Sequence, residues 1–436
     1  LEMFSGTFVK YLPELIKEGK VNIKTIDDAV KNVLRIKFRM GLFENPYFDE
    51  EARAKVYLTP EHLEKAKQTA VQSAILLKNE NNTLPILGKK KIAIIGPLAD
   101  QVHEQLGTWA WDGVRNATQT PIMAFKNNPD VEVIFEAGLQ FSRDRDTKDF
   151  DKVKSVVNNA DVAIVFLGEE SILSGEAHSL ANLDLVGAQS ELLAAVKSVG
   201  KPVILVVMAG RPLTIEKNLP NADAVVYYFH PGTMGGPAIM DLVLGKENFS
   251  GKLPVTFVRE VGQIPMYYNH NNTGRPAPDK LTALYDIPVR APQTSLGNTS
   301  FYLDAGKMPL YPFGYGLSYA KFDYSNLILS TKQMAMNDVL TIKATITNSS
   351  KYDGTEVVQL YVQDVVGSIV RPVKELKGFQ RVTLKAGESK VVEFKLNAGN
   401  LAFYGSNNKY EAEFGDFNIW VGTNSQEGLK DSFELK

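Results

Sequence analysis

Residues 161–189 of this 436-residue chain have the sequence DVAIVFLGEESILSGEAHSLANLDLVGAQ. Asp161 to Phe166 is a short run of apolar and β-branched residues, typical of a strand that is buried on both faces. Gly168 ends this run, and the chain enters a loop before a helix is expected near Gly187. In an open α/β sheet, ligands bind at the carboxyl ends of the strands. The loop that follows this strand is therefore a candidate site.

The loop holds five titratable side chains: Glu169, Glu170, Glu176, His178 and Asp184. Titratable groups on a loop that a rigid strand holds are frequent carriers of chemistry. The alternative is that these carboxylates only form a solvated surface loop, since exposed acidic residues are the norm. On composition alone, the alternative is the more ordinary interpretation.

Apolar runs of strand length occur on both sides of this stretch and alternate with helical patterns. The runs are Ile92–Ile95, Val162–Phe166, Val203–Met208 and Ala224–Tyr228, and the helices include Gly187–Val199 and Gly235–Leu244. Alternation of this kind predicts an α/β domain with a mostly parallel sheet and helices on both faces.

A strand followed by a glycine, at Ile94-Ile95-Gly96-Pro97, raises the alternative of a nucleotide-dependent α/β enzyme. Neither G-x-G-x-x-G nor G-x-x-x-x-G-K-[ST] occurs there. Pro97 also lacks the amide N–H that would donate to a phosphate. The sequence therefore disfavours a nucleotide site.

Length, charge and composition limit the class of protein. A chain of 436 residues predicts two or three domains. The net charge of −2 argues against nucleic acid as the main partner, because phosphate binding needs a basic excess. No apolar run is long enough to cross a bilayer. The chain has no cysteine, which excludes disulfides and thiolate metal sites, and no cofactor or metal is predicted.

Residues 12–39 carry two amphipathic helical patterns. In the second, Ile26, Val30, Val33 and Leu34 follow the spacing of one apolar helix face. The chain starts at a leucine, with no initiator methionine and no charged segment followed by an apolar one. We therefore expect it to be cut from a longer protein.

From Leu327 onward the pattern is all-β. Apolar and polar residues alternate at 342–347 and at 358–362. Turn signals at 353–354 and 385–388 space the strands as in a β-sandwich.

Several strings along the chain resemble family 3 glycoside hydrolases, the β-glucosidases and their relatives, here of the bacterial periplasmic type. In the acidic loop the strings are LGE, SGEAHS and the helix start at Gln189. Elsewhere they include LEMF, IDDAV, KFRMGLF, LLKN followed by LP, GKLPVTF and FGYGLSY. The resemblance covers nearly all of the chain. Residue by residue, Glu176 falls where the family has its general acid/base.

Two of the three tryptophans, Trp109 and Trp111, lie in the loop after the first strand of the α/β pattern. Flat aromatic side chains offer the apolar faces of sugar rings a large contact area at low entropic cost. In Gly107-Thr108-Trp109 the resemblance implies that Trp109 borders the outer sugar subsite. The alternative is that this tryptophan fills a seam between domains.

The resemblance also implies a domain organisation that combines α/β and all-β folds. Residues 1–58 are expected to be the last helices of a (β/α)8 barrel domain and a linker, 59–258 an α/β sandwich domain with the acid/base loop, 259–320 an ordered connecting segment, and 321–436 a fibronectin type III-like domain.

The implied activity is that of a retaining, exo-acting β-glycosidase, similar to a β-glucosidase, that removes terminal sugars from oligosaccharides or glycosides. Retaining hydrolysis needs a nucleophile and an acid/base about 5–5.5 Å apart. The family's nucleophile is an aspartate on the barrel, and neither its Ser-Asp-Trp nor its Lys-His-Phe motif occurs in this chain. We therefore expect the chain to supply the acid/base alone, to be inactive by itself, and to need an N-terminal barrel segment as its partner. The resemblance implies a periplasmic or secreted location.

The alternative function is a non-catalytic carbohydrate-binding or adhesion protein built from the same two domains. It would explain the missing barrel pattern. It would also explain Leu180 and Asn182, which stand where the family usually has Arg and Asp. If the chain alone were active, a second carboxylate would be required, and Asp112 and Asp184 are the first candidates.

Overall fold

A computed structural model describes residues 1–111 and 113–436, and Asp112, one candidate for a second carboxylate, lies outside the described residues. The chain divides into two compact units, Leu1–His62 and Leu63–Lys436. The first unit is helical. The second contains an α/β domain and a β-sandwich.

The first unit is built from helices with exposed apolar side chains. Its helices are α1 (Thr7–Lys17), α2 (Ile23–Arg39) and α3 (Glu50–Val56). The two predicted amphipathic helices are thus present, although α1 begins earlier than expected. Neither α1 nor α2 buries a residue, and Phe38 is 59% exposed. Contiguous exposed apolar surface is typical of an interaction surface.

A six-stranded sheet forms the centre of the α/β domain. Its strands are β1 (Ile75–Asn79), β2 (Lys91–Ile95), β3 (Glu132–Glu136), β4 (Val162–Gly168), β5 (Val203–Met208) and β6 (Ala224–Tyr227). The spatial order is β1-β6-β5-β4-β2-β3, in which β1 is antiparallel to β6 and the other neighbours are parallel. The predicted mostly parallel sheet is confirmed. Strand β4, which leads into the acidic loop, lies between β5 and β2.

Helices cover both faces of this sheet. Both faces carry apolar side chains, because successive residues of a strand point to opposite sides. They are α4 (Pro60–Ser73), α5 (Val102–Leu106), α6 (Pro121–Lys126), α7 (Phe150–Asn158), α8 (Gln189–Lys197) and α9 (Gly235–Val243). On β2, Ala93 and Ile95 share a core with α7 and α8, whereas Ile92 and Ile94 share one with α4, α6 and α9. No helix within the described ranges is long and apolar enough to cross a membrane.

The edge strand β3 and the helices α6 and α7 are not among the predicted elements. Strand β3 has the sequence EVIFE and pairs on one side only, with β2. Its residues are half-buried or exposed, so it lacks the continuous apolar run of a central parallel strand. Helix α6 has only six residues, too few to show a helical period.

The C-terminal part of the second unit, from Phe322 onward, is a β-sandwich. Its elements are β7 (Phe322–Leu329), β8 (Gln333–Met334), β9 (Val339–Asn348), β10 (Gly354–Asp364), β11 (Glu375–Leu384), β12 (Ser389–Asn397), α10 (Ala398–Leu401), β13 (Phe403–Tyr404), β14 (Tyr410–Glu411), β15 (Gly415–Gly422) and β16 (Leu429–Leu435). Sheets ordered β11-β10-β15-β16-β8 and β12-β9-β7 enclose one core. Ile342 and Leu360 lie in this core, as their alternation with polar residues predicts.

Polar contacts join the β-sandwich to the α/β domain. Lys252 Nζ lies 2.9 Å from Glu356 Oε1, and these side chains are 12% and 6% exposed. Gln359 Nε2 donates a hydrogen bond to the carbonyl oxygen of Gly314 at 3.1 Å. Gly314 has a φ of +80°, and a Cβ atom there would lie 2.1 Å from Gln359 Oε1. The string FGYG, in the segment that precedes the β-sandwich, thus needs its first glycine for the close approach to Gln359.

Candidate active site

The acidic loop is held at both ends by the core of the α/β domain. Gly168, the last residue of β4, has a φ of +139°, and a Cβ atom there would lie 1.8 Å from the carbonyl oxygen of Met208 on β5. Gln189, the first residue of α8, is buried at the other end of the loop. Its Oε1 accepts from the Gly168 N–H at 2.7 Å, and its Nε2 donates to the carbonyl oxygens of Ser142 and Gly168 at 3.0 and 2.9 Å. The loop therefore starts and ends at fixed points.

Glu169, the first carboxylate of the loop, is buried in an ion pair. Arg211 Nε lies 3.2 Å from Glu169 Oε2, and the glutamate side chain is 1% exposed. Burial raises the pKa of Glu169, and the guanidinium of Arg211 opposes that rise. Because removing a charge from water is costly, this carboxylate depends on its partner.

Glu170 is engaged by two other residues. Arg143 Nε and Nη2 donate to its two carboxylate oxygens at 2.9 and 3.0 Å, and Ser142 Oγ donates at 2.7 Å. These hydrogen bonds, first of all those from Arg143, hold the pKa of Glu170 below its usual value. A carboxylate held in its ionised form is a poor proton donor at neutral pH.

Asp184 and Asn182 stabilise the later part of the loop. Thr214 Oγ1 donates to Asp184 Oδ1 at 2.5 Å, and Lys217 Nζ lies 3.4 Å from Asp184 Oδ2. The Asp184 N–H donates to Asn182 Oδ1 at 2.9 Å. An aspartate oxygen at position 182 could accept the same hydrogen bond, so Asn182 preserves this part of the loop geometry.

Glu176 is presented differently from the other three carboxylates. Its side chain is exposed, and the residues on either side, Gly175 and Ala177, have φ values of +105° and +63°. Such backbone is rare for alanine and clusters at functional sites. Other groups of the loop form hydrogen bonds and ion pairs. Among the described residues, the Glu176 carboxylate has no hydrogen-bond or ion-pair partner.

The loop after β2 supports the acidic loop from one side. Thr108 Oγ1 lies 2.5 Å from the Ser171 carbonyl oxygen and 2.9 Å from Ser174 Oγ. Glu104 Oε2 accepts from the Ser171 N–H at 2.6 Å and from Ser171 Oγ at 2.8 Å. The two loops at the carboxyl ends of neighbouring strands β2 and β4 are therefore one hydrogen-bonded assembly.

This assembly brings Trp109 next to the residue that precedes Glu176. A Cβ atom on Gly175 would lie 3.7 Å from Trp109 Cζ2. The Trp109 side chain is 58% exposed, and its ring meets that of Trp111 edge to face at 5.8 Å. An exposed aromatic surface thus lies beside the predicted acid/base, while the subsite role of Trp109 stays a prediction.

Two family models match the chain. One, described as the glycosyl hydrolase family 3 C-terminal domain, matches residues 74–319, and one described as a fibronectin type III-like domain matches residues 356–425. The first match covers more than half of the chain. The chain belongs to glycoside hydrolase family 3. The family resemblance and the predicted fold class, an α/β domain followed by a fibronectin type III-like β-sandwich, are thereby confirmed.

Relatives in family 3 are longer than this chain. The chain is 38% identical to the periplasmic beta-glucosidase of Salmonella typhimurium, with all of this chain and 59% of that protein aligned. It is 34% identical to a putative beta-xylosidase of Formosa agariphila, over all of this chain and 55% of that protein. The crystal structure of a beta-glucosidase from Listeria innocua in complex with isofagomine matches with a TM-score of 0.86 at 37% identity, over 100% of this chain and 59% of that one. The chain thus spans a little more than half the length of these family 3 proteins.

The sequence predicts Glu176 as the acid/base, which stays a prediction, and does not indicate the residues that hold its loop, Arg211, Thr108 and Glu104. Arg211 comes three residues after the end of β5, and Thr108 follows β2, so both stand at the carboxyl ends of parallel strands. That position was the available signal. Arg211, Thr108 and Glu104 lie outside the single loop whose titratable groups were predicted to form the site. In the described part of this family 3 chain, no cluster of three or more histidine, aspartate or glutamate residues could hold a metal ion.

Proposed function

We propose that this chain is the part of a retaining, exo-acting family 3 β-glycosidase that supplies the general acid/base, Glu176. The observation that carries the proposal is the contrast within one loop. Glu169, Glu170 and Asp184 each have a cationic partner, whereas Glu176 is exposed between two residues with positive φ. A group that exchanges protons with substrate and water has to be reachable by both.

The proposed chemistry is a double displacement in which Glu176 acts twice. In the first step its carboxyl group gives a proton to the glycosidic oxygen while a nucleophilic carboxylate attacks the anomeric carbon and the leaving group departs. In the second step the Glu176 carboxylate takes a proton from water, whose oxygen attacks the same carbon and releases the nucleophile. The family resemblance implies that the nucleophile is an aspartate of a barrel segment. The intact glycosidase is hereafter this chain together with that segment.

The substrate class follows from the relatives and from Trp109. The relatives named above are β-glucosidases and a putative β-xylosidase, which supports a terminal β-linked sugar as the unit removed. Trp109 lies beside Gly175 and is largely exposed, which supports its role as a platform for the next sugar unit.

A periplasmic or secreted location is part of the proposal, supported by the name of the Salmonella relative. We expect glycosidase activity of intact cells to be released by osmotic shock or found in the medium. Activity released only by complete lysis would contradict this location.

The test of the acid/base role is the dependence of Glu176→Gln on the leaving group. In the intact glycosidase, kcat/KM for a β-disaccharide is expected to fall on the order of 10²–10⁴-fold. The value for 2,4-dinitrophenyl β-glucoside is expected to change far less, because that leaving group needs no proton. Glu191→Gln, an exposed glutamate on α8, serves as the matched control and should behave as the wild type.

Equal losses on both substrates would refute the acid/base role of Glu176. An intact protein that binds oligosaccharide but turns over neither substrate would support a non-catalytic binding protein instead.

A further inference from the structure

Arg211 contacts the acidic loop on both sides of Glu176. Its Nη2 donates to the carbonyl oxygen of Leu173 and, at 2.9 Å, to that of His178. These two carbonyl groups bracket the short segment that carries Glu176, here named the Glu176 arch (residues 173–178). One guanidinium group thus closes the base of the arch.

We infer that Arg211, held in turn by Glu169, is a positioning residue that fixes Glu176 against the substrate. The inference rests on the proposed acid/base role of Glu176. It assigns a role to the ion pair between Arg211 and Glu169, which has no other role in the proposed chemistry.

Arg211 is itself fixed by the core of the domain. The Tyr227 hydroxyl donates to the Arg211 carbonyl oxygen at 2.5 Å and accepts from the Leu213 N–H at 3.1 Å. Tyr227 is the last residue of β6 and is fully buried. The backbone of Arg211 is therefore fixed to the sheet, and its side chain reaches from this fixed point to the arch.

Glu169 sets the direction of the guanidinium group. Its Oε2 accepts from Arg211 Nε at 3.2 Å, and its backbone N–H donates to the Met208 carbonyl oxygen at 2.8 Å, which anchors it to β5. Its other oxygen, Oε1, is buried and has no hydrogen-bond partner in the described part of the chain. The carboxylate therefore depends on Arg211 as much as Arg211 depends on it.

Only arginine can serve these acceptors together. Its planar fork directs Nε to the Glu169 carboxylate while Nη2 reaches the two arch carbonyl groups. A lysine offers one ammonium nitrogen on a flexible stem and cannot occupy both nitrogen positions. Arg211→Lys should keep the charge that Glu169 requires and lose the hold on the arch.

The residue before Arg211 adds a second contact to the arch. A Cβ atom on Gly210 would lie 2.1 Å from Ser174 Oγ, so the arch rests directly on this backbone. The Gly210-Arg211 pair therefore supports the arch from below and closes its base at the same time.

The consequence for catalysis is specific to proton transfer. Displacement of a reacting group by about 1 Å can cost on the order of 10²-fold in rate. In kcat/KM, which reports the first step, a displaced Glu176 lowers the values only for substrates whose poor leaving groups need a proton. Partial unfolding would instead lower the rates on all substrates equally.

The test compares Arg211→Lys with Arg143→Lys, the matched arginine that pairs with Glu170 and does not contact the arch. In the intact glycosidase, Arg211→Lys is expected to lower kcat/KM for a β-disaccharide by about 10- to 100-fold and for 2,4-dinitrophenyl β-glucoside by less than about 3-fold. Arg143→Lys should change neither by more than about 3-fold. Equal losses on both substrates in Arg211→Lys would overturn the inference.

A second measurement is independent of the acid/base role. Hydrogen exchange of residues 1–436 should show peptides across the arch exchanging about tenfold faster in Arg211→Lys than in the wild type, with no change in Arg143→Lys. If Arg211→Lys does not fold, Glu169→Gln releases the guanidinium with a change of charge alone and should also speed exchange of the arch. Unchanged exchange in a folded variant overturns the inference even if Glu176→Gln keeps its leaving-group dependence. If Glu176→Gln lacks the leaving-group dependence while the arch exchanges faster in Arg211→Lys, only the proposed function is refuted.

Discussion

Glu169 and Glu176 lie in the same loop, yet their surroundings are opposite. Glu169 is 2% exposed and paired with Arg211, whereas Glu176 is exposed at the tip of an arch that Arg211 closes. Removing an ion from water without a partner costs far more than losing one hydrogen bond, so the buried glutamate must be paired. The difference teaches that one loop can bury one carboxylate in an ion pair and leave another exposed to solvent.

The largest expected effect is the inactivity of this chain when the proposed barrel nucleophile is absent. Residues 1–436 alone should melt cooperatively and release no nitrophenol from aryl glycosides above the buffer rate. In the proposed mechanism Glu176 supplies only half of a double displacement, and loss of one member of a catalytic pair costs several orders of magnitude. Turnover by this chain alone that disappears in Glu176→Gln would mean that the chain holds a second catalytic carboxylate.

The two glutamates should also differ in what they contribute to stability. Glu169→Ala removes a buried carboxylate and leaves the half-buried Arg211 without its ion-pair partner, and is expected to lower the free energy of unfolding by about 3 kcal/mol. Glu176→Ala should change it by no more than about 0.5 kcal/mol. Urea unfolding of residues 1–436 measures both variants. Similar losses of unfolding free energy in Glu169→Ala and Glu176→Ala would contradict the view that only Glu169 stabilises the loop.

Trp109, like Glu176, is an exposed residue of the candidate site. In the intact glycosidase, Trp109→Ala is expected to raise KM for a disaccharide by about 2- to 10-fold, the equivalent of one lost aromatic contact. The effect on an aryl glucoside should be smaller, and Trp111→Ala is the control from the same loop. A lower melting temperature with an unchanged KM would make Trp109 a structural residue instead.

The smallest expected effect concerns pH and the engaged residue Glu170. Its pKa is lowered in the folded protein, mainly by hydrogen bonds from Arg143, so its contribution is present above the ordinary carboxyl pKa and is lost as the pH falls through the lowered value. Because the Arg143 side chain is 53% exposed, screening limits this contribution to about 1 kcal/mol.

The measurement is the melting temperature of residues 1–436 against that of Glu170→Gln. The wild type should melt higher at pH 6, and the difference should shrink as the pH falls below the ordinary carboxyl pKa towards the lowered pKa of Glu170. A constant difference across this range would mean that the charge of Glu170 is not what stabilises the loop.

The central part of the fold could be predicted from sequence because buried parallel strands are continuous apolar runs. Strands β2, β4, β5 and β6 all have that pattern, and the β-sandwich shows its alternation in β9 and β10. The edge strand β3 lacks it, because it is covered less well.

The site could be predicted only in part. The position of Glu176 came from the strings around it, but its separation from Glu169 could not be foreseen. Arg211, which pairs with Glu169, lies 42 residues further along the chain, and Arg143, which pairs with Glu170, lies 27 residues before it. Pairings over such distances follow from the order of strands in the sheet, which the local pattern does not contain.

The role of Glu176 is tested most directly by turnover of 2,4-dinitrophenyl β-glucoside by the intact Glu176→Gln enzyme, with and without azide. Azide attacks the glycosyl-enzyme without needing a general base, so it can replace water in the second step. We predict that azide accelerates the variant and that the product is the β-glucosyl azide, while the wild type and Glu191→Gln continue to release glucose. A folded Glu176→Gln enzyme that azide does not accelerate, and that forms no glycosyl azide, would contradict the account.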